Sequence, residues 1–385
     1  MIGFEYYNPA RIVFGEGSIS KLRGLIESSG ARSLLLVYSG EFIRDLGIFA
    51  AAEQACEDLG IRFSYNGEVV PNPSVDLVRK LADEGRENGV DFILAAGGGS
   101  AIDTAKAIAL AIPYEGDVWD FFYEGKTPRK VLKVGVITTL PASGSETSNA
   151  AIISNGKWKL GFEDDRIIPQ FAIMDPAYTL GLPAYQTSCG AADILSHLLE
   201  RYFSPVDHTD VTDYLIEGAV RAHMINSLRL MDDPRDINAR AEVQQMASIA
   251  HNNLLDTGRI GDWGSHRIEH ELSAEYGLTH GEGMAVVITA WVRYAAGVKP
   301  DKPAQLALRV FGGDDAKTPK ELALYLADKL EEFFRKLGLK TRLNELGIGE
   351  EHFEEMALRA TRKGNVGHYI ELDKERFTDV LRLAL

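Results

Sequence analysis

Along the first 180 residues, short runs of β-branched and apolar residues alternate with segments whose apolar positions recur every three or four residues. SLLLVY (33–38), IRFSYN (61–66), DFILAAG (91–97) and KVGVITTL (133–140) read as strands. FIRDLGIFAAAEQACEDLG (42–60), SVDLVRKLADEGREN (74–88) and SAIDTAKAIALAI (100–112) read as helices. Strand and helix alternating at this spacing predict parallel βαβ units, with helices covering both faces of the sheet. After Pro183 the strand signal fades. DVTDYLIEGAVRAHMINSLRLM, INARAEVQQMASIAHNNLL and ELALYLADKLEEFFRKLG all carry helical spacing. The pattern therefore predicts an α/β domain with a Rossmann-like parallel sheet over residues 1–182 and an all-α domain over 183–385.

Composition narrows the functions open to such a chain. With 385 residues it can bury two cores. Its net charge of −15 argues against a nucleic-acid or anionic-membrane partner, because polyanions are held by clustered Lys and Arg. Any phosphate must then be held by backbone amides and helix ends. Two cysteines, Cys56 and Cys189, are too few for a disulfide framework and suit a reducing cytoplasm. The opening MIGFEYYNPARIV has neither the basic region nor the apolar core of a secretory signal. The longest apolar stretch, MAVVITAWVRYAAGV, is short and broken by Arg293, so no membrane span is expected.

Candidate chemistry in the second half rests on four residues. Asp193 and His197 are four apart in GAADILSHLLERY, so a helix puts both on one face. His266 lies in DWGSHRIEHELSA, and His280 follows Gly277, where the chain can turn back. One carboxylate and three imidazoles form a divalent-metal site with room for substrate. In the first half, DFILAAGGGSAIDTAK runs a buried-type strand into Gly97, Gly98 and Gly99 before a helix. Ser100 and Asp103 have the spacing of a capping box at its start. Glycines at a strand end let a backbone approach a ligand, and the next helix N-terminus offers free N–H groups to phosphate. ITTLPASGSETS (137–148) and LLLVYSG (34–40) leave two more strands on the same expected edge, where such sheets hold ligands. A dinucleotide fits there, with the metal expected near its reactive end.

These segments together resemble the iron-containing (group III) alcohol dehydrogenases. The resemblance runs from NPARIVFGEG (8–17) through PNP (71–73), GGGSAIDTAK (97–106) and TTLPASGSE (138–146). It continues through GAADILSHLLERY (190–202) and HRIEHELSAEYGLTH (266–280). The style is closest to the butanol dehydrogenase and aldehyde reductase branch. The resemblance implies that Asp193, His197, His266 and His280 ligate Fe²⁺ or Zn²⁺, and that His270 helps move protons. It implies that Gly97, Gly98, Gly99, Ser100 and Asp103 form the pyrophosphate and nicotinamide loop. Thr138 and Thr139 would contact the adenine side, Lys159 a ribose hydroxyl, and Asn72 and Tyr178 the cofactor cleft. The implied activity is hydride transfer between a nicotinamide and a small primary alcohol or aldehyde, in a homodimer or larger assembly.

Tyr38-Ser39-Gly40-Glu41 stands where NAD-preferring branches place an Asp for the ribose 2′-hydroxyl. The small Ser39 and Gly40 leave space for a 2′-phosphate, so NADP(H) is expected over NAD(H), although Glu41 would repel that phosphate if it pointed inward. Two rival readings differ in class. His266-Arg-Ile-Glu269-His270 fits HxxEH, the inverted zinc-peptidase motif, in which both histidines bind zinc and the glutamate activates water. The other rival is a non-catalytic dinucleotide-binding protein.

Overall fold

The β-branched runs pair side by side in one parallel sheet. A computed structural model describes residues 1–385. The first elements are β1 (Arg11–Phe14), α1 (Leu22–Ser29), β2 (Ser33–Tyr38), α2 (Phe42–Asp45), α3 (Ile48–Leu59), β3 (Arg62–Asn66) and α4 (Val75–Glu87). There follow β4 (Phe92–Gly97), α5 (Gly99–Ala111), α6 (Trp119–Tyr123), β5 (Lys133–Thr138), β6 (Ala150–Asn155), β7 (Trp158–Glu163) and β8 (Phe171–Met174). The six-stranded sheet has the order β1-β8-β5-β4-β2-β3, parallel throughout. Alternation along the central strands feeds two cores. Leu34, Leu36, Phe92 and Leu94 pack with Leu22, Ile26 and Ile48, whereas Leu35, Val37, Ile93 and Ala95 pack with Val78, Leu81, Ile102 and Ile108. With both faces covered, the strands read as continuous apolar runs.

Two local expectations are corrected. Residues 42–60 do not form one helix, because Gly47 adopts a left-handed φ of 73° and separates α2 from α3. Ser100 and Asp103 do not form a capping box. The N-cap of α5 is Gly98, with no side-chain cap, and the Asp103 carboxylate accepts instead from Ser145 Oγ (2.6 Å) and the Ile152 amide (3.0 Å). The strands β6 and β7 form a separate antiparallel hairpin, not foreseen above, around Gly156 (φ 56°).

After Pro183 the chain is helical: α7 (Ala184–Tyr202), α8 (Asp210–Asp232), α9 (Ile237–His251), α10 (Gly264–Tyr276) and α11 (His280–Val298). The remaining helices are α12 (Asp301–Phe311), α13 (Pro319–Lys336), α14 (Phe353–Ala360) and α15 (Lys374–Leu383). Two compact units result, Tyr7–Leu182 and Pro183–Leu385, and the first six residues belong with the helical unit rather than the α/β unit. From Thr187 to Tyr202 every residue of α7 is buried. A helix buried on all sides is normally apolar all round, so the charged residues inside α7 need partners or ligands. No helix in the chain is long and apolar enough to cross a membrane.

Candidate active site

Asp193 and His197 are two such buried residues, one turn apart on α7, with His197 Nδ1 3.6 Å from Asp193 Oδ1. Trp263, in left-handed conformation (φ 63°), precedes α10 and places His266 in its first turn. The His266 ring centre lies 4.8 Å from that of His197. Gly277 (φ 67°) ends α10, and His280 opens α11 with Nε2 3.4 Å from Asp193 Oδ1. The next residue explains how α11 comes so near α7. A Cβ on Gly281 would sit 2.0 Å from the carbonyl oxygen of Cys189, so only glycine permits this approach, one turn before Asp193. Residues distant in sequence thus converge: donor atoms of Asp193, His266 and His280 lie within 4.8 Å of one another. His197 stands just outside this tight set, packed against His266 and His251.

Two buried carboxylates hold the imidazoles: Glu200, which the sequence did not single out, and Glu269, which entered there only as the glutamate of the HxxEH motif. Glu200 accepts from the amides of Trp263 (2.6 Å) and His266 (2.9 Å), from Ser265 Oγ, and from His266 Nδ1 (2.9 Å). Burial raises its pKa, but the hydrogen bond and charge of His266, with the Ser265 hydroxyl, outweigh this and leave it below the usual glutamate value. Glu269, fully buried, accepts from His280 Nδ1 and Ser273 Oγ. With His266 Nδ1 taken by Glu200, its Nε2 is left buried without a hydrogen-bond partner, as is His197 Nδ1. Burial, then neighbouring His251 and His266, push the His197 pKa well below its ordinary value, so its ring is neutral and its lone pair can bind a cation. A carboxylate, neutral imidazoles and carboxylate-anchored Nδ1–H groups make a donor set that fits a divalent cation. Glu200 lies seven residues after Asp193 and therefore on the same helical face, a signal that was available in the sequence.

His270 is nearly buried, its ring centre 5.8 Å from that of His280 and 6.5 Å from that of His266. With Glu269 and His280 it forms a second group of potential ligands within 4.8 Å. Because Glu269 is buried and accepts from His280, it is not available as the water-activating base that the HxxEH peptidase reading requires. Replacing Glu200 by glutamine should leave the fold intact and weaken metal binding by about 10–100-fold, as loss of such an outer carboxylate typically does. Competition against a chromogenic chelator measures this directly.

In the α/β unit, register brings the predicted loops together. Gly97 pairs with Thr138 across β4 and β5, and Tyr38 pairs with Ala96 across β2 and β4. From β2 the chain goes outward to β3, and from β4 it goes the other way to β5. The carboxyl ends of β2 and β4 therefore flank the topological switch point, where open sheets hold ligands. Gly97 has φ 149°, and a Cβ there would meet Ser39 Oγ at 2.8 Å; one on Gly99 would meet Ser143 Oγ at 2.5 Å. The hydroxyls of Thr138 and Thr139 are buried with no hydrogen-bond partner, and α5 begins without a side-chain cap. Close-approaching backbone, free N–H groups and unused hydroxyls fit a dinucleotide phosphate. Asn72 takes a left-handed φ of 54° in the loop before α4. The adjacent Pro73 carbonyl accepts from the amide of Ser154, whose partner across the hairpin is Lys159. Tyr178 lies half-buried in a 3-10 turn, and burial pushes its pKa up to about 12.

Asp103, expected in the cofactor loop, has its carboxylate held within the protein by Ser145 and the Ile152 amide. Lys106, not singled out in the sequence, shares Ser145 with it. Its fully buried ammonium donates to Ser145 Oγ (2.9 Å) and to the carbonyls of Ser148 and Ala150 (both 2.8 Å). Burial pulls its pKa down to about 8, against the raising charges of Asp103 and Glu146. This network ties the loop after Thr139 to α5 and so sets the spacing of the two phosphate-side loops.

Comparison with known proteins agrees with both halves. The family model described as iron-containing alcohol dehydrogenase matches residues 9–176, and the C-terminal model of the same family matches 187–385. NADH-dependent butanol dehydrogenase A of Clostridium acetobutylicum is 37% identical over 387 residues, covering 99% of each chain. The NADPH-dependent aldehyde reductase YqhD of Escherichia coli is 32% identical over 358 residues, covering 90% of each. A crystal structure of NADH-dependent butanol dehydrogenase A from Thermotoga maritima superposes with a TM-score of 0.94 at 32% identity, covering 99% of this chain and 98% of that one. The chain belongs to the iron-containing alcohol dehydrogenase family, in its branch of butanol dehydrogenases and aldehyde reductases, and is a metal- and nicotinamide-dependent oxidoreductase.

Proposed function

We propose that Asp193, His197, His266 and His280 hold one divalent cation, Fe²⁺ or Zn²⁺, and that the chain interconverts small primary alcohols and aldehydes with NADP(H). The observation that carries the reading is the anchoring of His266 and His280 through Nδ1 by buried glutamates, beside Asp193. When bound, the cation supplies Lewis acidity toward the substrate oxygen, and the nicotinamide supplies the hydride donor or acceptor. Glu200 and Glu269 keep two imidazoles oriented, so no ligand reorganises during reaction. The indole of Trp263, 5.2 Å from the His266 ring and 6.1 Å from that of His197, restricts water beside the donor set. His270 moves the proton of the substrate hydroxyl toward solvent, since imidazole titrates near neutral pH.

The preference for NADP(H) rests on the turn after β2. Gly40 takes φ 82°, and Glu41 pairs with Arg44 at 3.0 Å, so the acid that would repel a 2′-phosphate is matched by a guanidinium. Arg44 is itself braced 3.7 Å over the Phe49 ring. A homodimer or larger assembly and a cytoplasmic setting complete the reading, in keeping with two cysteines that are free and buried.

The test is a panel of primary alcohols and aldehydes assayed with NAD(H) and NADP(H), on protein stripped by chelator and reloaded with Fe²⁺ or Zn²⁺. Turnover should return only with metal, with a higher kcat/KM for NADPH than for NADH. Full activity after stripping would refute the metal's role, and the reverse preference would refute the cofactor assignment. In the same assay His270→Ala should retain metal and cofactor while kcat falls by about 10²-fold or more, the usual size of an acid–base contribution. An unaltered pH–rate profile would remove the proton role.

A further inference from the structure

The helical unit buries three arginines almost completely: Arg201, Arg240 and Arg259. Two have carboxylate partners, Arg201 with Asp256 at 2.8 Å and Arg259 with Asp213. Arg240, on α9, has none. Its Nε donates to the Pro234 carbonyl at 3.0 Å and its Nη1 to Thr187 Oγ1 at 2.8 Å, while Nη2 has no acceptor. Burial alone lowers its pKa, with no opposing acid in range. Gln244 lies one turn further along α9, completely buried, and neither of its amide atoms has a hydrogen-bond partner. Thr187 belongs to the first turn of α7, a 19-residue helix whose N-cap, Pro183, supplies no side-chain cap. A guanidinium without counter-charge therefore meets the positive end of a long helix in the interior, where an uncompensated charge is costly.

We propose that Arg240 Nη2, with Gln244 beside it, binds a small monovalent anion such as chloride at the first turn of α7. A water molecule would satisfy the donors but leave the charge. A single guanidinium balances one negative charge, so a divalent anion would leave a buried excess of the opposite sign. The occupant stabilises the helix that carries Asp193 and His197 and takes no part in turnover.

Thermal unfolding of the metal-loaded full chain, with chloride exchanged for gluconate at constant ionic strength, tests the site. The midpoint should rise by about 2 °C for each tenfold increase in chloride above its dissociation constant. Arg240→Met should abolish that dependence and, without chloride, be at least as stable as the native chain, because it no longer buries an unpaired charge. Crystals grown in bromide should show an anomalous peak within hydrogen-bond reach of Arg240 Nη2. Absence of that peak, or a water in its place, overturns the proposal whatever the melting data show, as does a chloride response retained in Arg240→Met. Should that variant fail to fold, the bromide map of the native chain decides.

Discussion

Replacing Asp193 or His266 by alanine should release the metal and lower alcohol oxidation by about a thousandfold or more, while the folded protein still binds dinucleotide. The size follows from the several kcal/mol that a Lewis acid contributes at a developing alkoxide, since ~4 kcal/mol corresponds to about three orders of magnitude in rate. Asp193 is central because its Oδ1 lies 3.6 Å from His197 and 3.4 Å from His280, and it is the single carboxylate of the ligand set. His266 differs in that its loss also leaves the Glu200 carboxylate buried without its imidazole partner. His266→Ala should therefore cost stability as well as metal, by about 3–5 kcal/mol, whereas Asp193→Ala removes a buried charge and should cost less. Metal content by elemental analysis, turnover and urea unfolding separate these effects. Either variant retaining a full equivalent of metal and normal turnover would contradict the assignment.

The second large effect is expected at a residue that touches no ligand. Gly281→Ala places a methyl group 2.0 Å from the Cys189 carbonyl oxygen and 2.7 Å from its Cα. Both belong to the backbone of α7, so no rotamer change relieves the clash and the helices must separate. Overpacking of a core commonly costs about 1–3 kcal/mol, and a clash with backbone falls at or beyond the top of that range. Separation also carries His280, the adjacent residue, away from Asp193. Metal affinity should thus fall at least tenfold along with stability, and Gly281→Ser should behave the same way. A variant with native stability and native metal affinity would show that the close packing of α11 on α7 does not set the site.

The alternation of strands and helices before Pro183 and the helical periodicity after it were legible because each depends on local spacing of apolar residues. The metal candidates were legible for a related reason: Asp193 and His197 share a helical face, and Gly277 marks a reversal before His280. Features decided by distant partners were not. Ser100-Ala-Ile-Asp103 has the spacing of a capping box, as Thr318-Pro-Lys-Glu321 does, yet only the latter forms one. The Asp103 carboxylate is claimed by Ser145 and Ile152, more than forty residues away. Residues 42–60 kept an unbroken apolar pattern across Gly47, and its left-handed conformation, invisible to periodicity, divides the helix. The hairpin around Asn155-Gly156 carried a recognisable turn signal, but its strands contain little regular alternation. Glu200 shares the helical face of Asp193 and Glu269 sits in a motif, but their imidazole partners, His266 and His280, are settled only when the helices pack.

The most direct measurement is a crystal structure of the metal-loaded chain, with anomalous data collected on both sides of the metal's absorption edge. One peak should appear, bonded at about 2.0–2.3 Å to an Asp193 oxygen and to nitrogens of His197, His266 and His280. A peak seated instead among Glu269, His270 and His280, or none at all, would contradict the central claim.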